Sequence, residues 1–98
     1  MTIFCICVKC ECIALSVNGK HGVYGFYKNE YVRAFDTSAA AETAKMKVRD
    51  ALQRNPTVTD KDAQSAILEI DEIEEGLDET ALSNEEGFVF FKSERPDC

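Results

Sequence analysis

Residues 3–35 read IFCICVKCECIALSV-NG-KHGVYGFYKNEYVRAF, and this stretch decides the fold. Residues 3–17 are rich in Ile, Val and Cys and free of Gly and Pro, the composition of a strand. Asn18-Gly19 follows, the strongest short-range hairpin signal, because a two-residue type I′ turn needs positive φ at both central positions. Residues 22–35 form a second strand, dense in aromatic and β-branched side chains. A two-residue turn at Asn18-Gly19 pairs residues whose numbers sum to 37; a wider loop through Gly22 is the alternative. The first register gathers Phe4, Ile6, Val8, Cys10, Tyr27 and Tyr31 on one face as a core. It sends Cys7, Lys9, Glu11, Lys28 and Glu30 to the other face. There Glu30–Lys9 and Glu11–Lys28 are attractive diagonals, and Lys9 opposite Lys28 is a mild cost.

Beyond the hairpin, Asp36-Thr37-Ser38 supplies N-cap oxygens to an alanine-rich run of high helix propensity. Ala41, Ala44, Val48, Ala51 and Leu52 recur at helical spacing, which predicts a helix over residues 37–54 whose alanine stripe approaches a sheet closely. Asn55-Pro56 ends it, because the residue before proline disfavours the α region. Residues 57–64 form a polar connection with room for a short helical turn capped by Thr59. Residues 66–74 alternate, with Ala66, Leu68 and Ile70 on one side and Glu69 and Asp71 on the other, as in a half-buried strand. Residues 75–86 read as an acidic loop without periodicity, residues 88–92 as a short last strand, and the tail from Ser93 as frayed.

These elements predict a single α+β domain, ordered over about residues 2–93. The order is ββαββ, with a four-stranded mixed sheet and one helix packed on one face. A crossover through the helix makes the second and third strands parallel, though not necessarily adjacent. The second face carries Phe26, Val32, Ile67 and Ile73 among charges, with no second helix to cover it. A homodimer through that face or an edge strand is expected.

The chain has 98 residues, 45% hydrophobic and 30% charged, which is globular rather than disordered composition. No apolar run approaches the roughly 18–20 residues of a membrane-spanning helix. Residues 3–17 fail as a signal peptide, being interrupted by Lys9 and Glu11 with no basic residue before them. A cytoplasmic protein with mostly reduced cysteines is expected. Charge is uneven: residues 1–54 carry +3 and residues 55–98 carry −10, together the net −7. Such a balance opposes nucleic acid binding. Lys45, Lys47, Arg49 and Arg54 could form a local basic patch, but on a helix they read as a solvated face. The acidic half suits a basic partner protein, or simply solubility.

Gly25-Phe26-Tyr27, Tyr31-Val32-Arg33-Ala34, Asp36 and Ala41, the run from Leu68 to Glu75, and Gly87-Phe88-Val89-Phe90-Phe91 together form a pattern. In it the chain resembles a group of short uncharacterised bacterial proteins with a GFY…V.A.D…A strand-to-helix passage, an I.EIEE strand and a terminal GF.F strand. The resemblance covers residues 22–92. It implies a bacterial origin and the same α+β order, and it supplies no activity. The cysteines lie outside the shared pattern.

Cys5, Cys7, Cys10 and Cys12 are the most unusual feature, since thiolates at this spacing can hold zinc or copper. Strand alternation opposes that, sending Cys5 and Cys7 to one face and Cys10 and Cys12 to the other. Cysteine then serves as a small buried hydrophobe, and no metal or other cofactor is expected. His21, the only histidine, is expected in an exposed loop, where nothing orients it against Cys5, Cys7 or Cys10 as nucleophile. Glu69, Asp71, Glu72, Glu74 and Glu75 could pair for acid–base work or weak cation binding, but a solvated strand face explains them. Tyr24, Phe26, Tyr27 and Tyr31 could stack bases, but core packing explains them, and the net charge opposes nucleic acid. With no convergent catalytic set, the chain is expected to be a non-catalytic interaction or oligomerisation module rather than an enzyme. The alternative is an inhibitor or immunity-type protein that binds a basic partner. Less favoured is a small-molecule binder, an enzyme or a thiolate metal protein.

Overall fold

β-branched and aromatic residues build the two long strands that organise everything else, β1 (Thr2–Val17) and β2 (Lys20–Ala34). The computed structural model describes residues 1–17, 19–56, 58, 64, 66–84 and 86–93, and for residues 16, 17, 20 and 21 the backbone alone. Val17 pairs with Lys20, and Gly19 takes φ +79°, the left-handed conformation a tight hairpin demands. Asn18 lies outside the described residues.

From Val17↔Lys20 to Ile13↔Tyr24 the partner numbers sum to 37, as expected. The register then slips between Cys10 and Ile13, so that Cys10 faces Phe26 and Thr2 faces Ala34. Glu11 and Cys12 together oppose Gly25, which makes a β-bulge. A one-residue slip exchanges the faces of everything beyond it. Four expectations are corrected accordingly. Phe26 and Val32 lie in the core rather than on the second face. Tyr27 and Tyr31 lie opposite Lys9 and Cys5, on the face away from the core. Lys28 and Glu30 oppose Val8 and Ile6 on the core side. The ion pairs run along the strands, Lys9–Glu11 at 2.7 Å and Lys28–Glu30 at 2.6 Å, instead of diagonally across them.

The helix α1 (Thr37–Gln53) starts where Asp36 accepts a hydrogen bond from the Ala39 amide at 2.8 Å. Ala40, Ala44, Val48 and Leu52 are its buried residues, so the stripe runs every fourth residue. Ala40 takes the place expected for Ala41, and Ala51 is only half-buried. Arg49 reaches across to donate to the carbonyls of Gln64 (2.8 Å) and Ala66 (3.1 Å), which ties the helix to the chain entering the next strand. The expected turn capped by Thr59 lies outside the described residues, as do residues 94–98 of the tail. Val58 is buried in the core.

Strand β3 (Glu69–Glu75) pairs with β1, and strand β4 (Val89–Lys92) pairs with β2. The order across the sheet is β3-β1-β2-β4, and every hydrogen-bonded pair is antiparallel. The α+β class with one helix on a four-stranded sheet therefore stands, but the mixed sheet does not. β2 and β3 do run in the same direction, yet β1 lies between them, so no parallel pair forms. The plain ββαββ order is not matched either. A 3-10 turn, Glu79–Ser83, capped by the Asp78 side chain, interrupts the stretch before β4 that was expected to be irregular. Residues 77–86 carry the chain from one sheet edge to the other, past Ile3, Arg33 and Tyr31. Among the described residues no helix is long and apolar enough to cross a membrane.

Candidate functional site

On the face away from α1, Cys5 and Cys7 stand side by side on β1. Tyr31 and Asn29 lie opposite them on β2, and Glu74 and Glu72 opposite them on β3. These residues and Ile73 line a shallow cavity of about 430 Å³. Tyr31 donates to Glu86 Oε2 at 3.0 Å and also hydrogen-bonds Cys5. Cys10 is buried on the core side, while Cys12, which was expected to share that face, is exposed at the bulge. The structure thus brings together two of the four clustered cysteines. Cys98 lies outside the described residues. Among those described, no group of three or more His, Cys, Asp or Glu side chains is placed to hold a metal ion.

Burial raises the pKa of Cys5, and Glu86 and Glu74 add to the rise against the lowering effect of Tyr31. Burial also raises that of Cys7, with Asp71 and Glu72 reinforcing it. Cys10 is raised by burial as well. The bond to Glu86, seconded by desolvation, pushes Tyr31 up to about 12. A thiol in this field stays protonated, the opposite of the electropositive setting that activates a nucleophile. Each of these groups holds its proton more tightly folded than unfolded, so stability from this source is present in full below the unfolded values. It is lost as the pH climbs from the ordinary thiol value of 9.0 towards 12. Urea midpoints measured across that range should be level at neutral pH and fall above about 9. Rapid alkylation of Cys5 or Cys7 at neutral pH would contradict the assignment.

The other candidates are dispersed. The backbone of His21 pairs with Ser16 beside the turn, eleven positions along β1 from Cys5, or roughly 36 Å at ~3.3 Å per residue. Phe26 is buried in the core, and Tyr24 packs partly buried against it. Tyr27 instead packs on Phe91 (centroids 5.4 Å apart) beneath Lys9, so the aromatic residues of β2 form no common platform. Three of the four basic residues along and just beyond α1 are engaged: Arg49 on backbone carbonyls, Arg54 with Asp50 at 2.9 Å, and Lys47 near the Tyr31 carbonyl at 3.5 Å.

One feature escaped the sequence. A groove of about 690 Å³ runs between α1 and β2, lined by charges of both signs, among them Lys28, Glu30, Lys47 and Asp50. Lys28 there bonds Glu30 and the Glu86 carbonyl and sits 5.7 Å from the Phe88 ring. Its contacts with Glu86 and Phe88 pin the chain that leads into β4. The i,i+2 charge pair between aromatic residues was the only signal of it.

The acidic run is the site that remains chemically unspent. β3 is an edge strand, and Glu69, Asp71, Glu72, Glu74 and Glu75 are all exposed on it. None is salt-bridged to a cation among the described residues. Glu72 and Glu74 share their face with Cys7 and Cys5, while Ile73, opposite Ile6, points to the helix side and stays 41% exposed. No family model, curated protein or solved structure matches the chain.

Proposed function

We propose that this protein is a non-catalytic interaction module that engages a basic partner protein through its acidic half. The observation that carries this reading is β3, a sheet edge with five exposed carboxylates, none of them salt-bridged to a cation among the described residues. Uncompensated like charges on neighbouring positions repel one another, and a cationic surface relieves that repulsion while accelerating encounter. The protonated thiols support a binding role over a catalytic one. In an inhibitor or immunity-type protein, the same edge would neutralise a cationic target. The test is affinity capture from the native host at low and high salt. The bait is either the natural chain or a variant with Glu69, Asp71, Glu72, Glu74 and Glu75 changed to their amides. A basic protein should be enriched on the natural bait, reduced by salt and lost on the variant. Equal recovery on both baits, or recovery of no basic protein, would overturn the reading.

A further inference from the structure

We infer that β3 is a strand-addition edge, and that its occupant is an extended segment with basic residues at every second position and apolar residues between. This rests on the acidic-module reading and adds the mode of docking to it. Three observations lead here. First, β3 is hydrogen-bonded to β1 on one side and lies at the sheet edge, with no strand paired to its other side among the described residues, so its outward N–H and C=O groups can take another backbone. Second, its two faces differ in chemistry. Beyond the bulge at Asp71, Glu72 and Glu74 project on the face shared with Cys7 and Cys5, while Ile73, 41% exposed, projects on the helix side, where Glu75 follows it. A strand laid alongside places successive side chains on those same two faces alternately. Lysine or arginine then meets Glu72 and Glu74, and an apolar side chain covers Ile73. Third, the edge excludes its own kind, since a second copy of β3 would set carboxylates against carboxylates. The opposite edge, β4, has four residues ending in Lys92 and lacks this complementarity.

The test uses a short peptide of alternating lysine and valine, as long as β3. Two further versions are N-methylated, one on each alternate set of backbone amides. A fourth peptide of the same composition has its lysines and valines in blocks. Strand addition presents only every second amide to the edge, so one methylation pattern should weaken binding about tenfold and the other should leave it unchanged. Amide resonances of β3 and its neighbour β1 should shift on binding. If all four peptides bind alike, strand addition fails while the acidic-module reading stands. If both methylated peptides weaken equally, or the shifts fall on β4, strand addition fails. If no peptide binds, it fails too, and the capture experiment alone then judges the acidic-module reading. A dimer of the chain itself held through β3 would also overturn it.

Discussion

Changing Gly25 to alanine should destabilise the protein by about 3 kcal/mol, the upper end of overpacking costs. Gly25 lies opposite Glu11 and Cys12, where two residues of β1 face one of β2. The Phe91 ring lies directly over it. A Cβ there would sit 2.3 Å from Phe91 Cζ, 2.4 Å from Cε2 and 2.8 Å from the Cys10 carbonyl oxygen. Because β4 is an edge strand, the ring could swing away, but it would surrender its packing on Tyr27. The Cys10 carbonyl has no such freedom, being part of the β1 backbone at the start of the bulge. Relief therefore requires either the bulge to open or β4 to peel back. Gly87 is the control: nothing lies within 4 Å of its Cβ position and its φ is not positive, so Gly87→Ala should stay within about 0.5 kcal/mol of the parent. Urea midpoints compare the two, and coincident curves for Gly25→Ala and the parent would refute the close approach.

That glycine also shows where the sequence could and could not be followed. The hairpin, the helix and its Asp36 cap were legible because each depends on local chemistry: a turn that needs positive φ, a side-chain oxygen, an alanine run. The register was legible only as far as Ile13. A bulge is decided by what packs across the sheet, and the Phe91 ring that occupies the space over Gly25 comes from a strand sixty-six residues later. Without it, the alternation of residues 3–17 extrapolates smoothly and assigns β2 the wrong faces. The sheet order failed for a related reason. Crossover geometry makes β2 and β3 parallel in direction but does not say that β1 will lie between them. The acidic run was visible from composition, and a solvated face was the ordinary explanation for it. Only the strand order makes it an edge. The separation of the cysteines was legible, because strand alternation alone puts Cys5 and Cys7 on one face and Cys10 on the other; only Cys12 departs from it, exposed at a bulge that alternation does not foresee.

The shifted register has its largest measurable consequence at two adjacent aromatic residues. Phe26 is completely buried, edge-on to Phe88 (4.9 Å between centroids) and Phe90 (5.9 Å), and faces Cys10. Phe26→Ala removes a fully buried ring from the core cluster, and should cost about 3–5 kcal/mol. Tyr27 is half-buried on the other face, between the Phe91 ring and the Lys9 ammonium at 5.6 Å. Tyr27→Ala forfeits one ring contact and one partly exposed cation–π contact, about 1–2 kcal/mol together. A hairpin without the bulge would keep the numbers summing to 37 throughout, put Tyr27 inside with Phe4 and Ile6, and turn Phe26 outward. The ranking of the two variants would then reverse. Denaturant unfolding of both, with the slope checked for constancy, separates the alternatives by a margin well beyond experimental error. If Tyr27→Ala proves the more damaging, the bulge at Glu11–Cys12 is wrong. The pairing of Cys5 with Tyr31 that frames the thiol cavity falls with it, because both follow from the same one-residue slip.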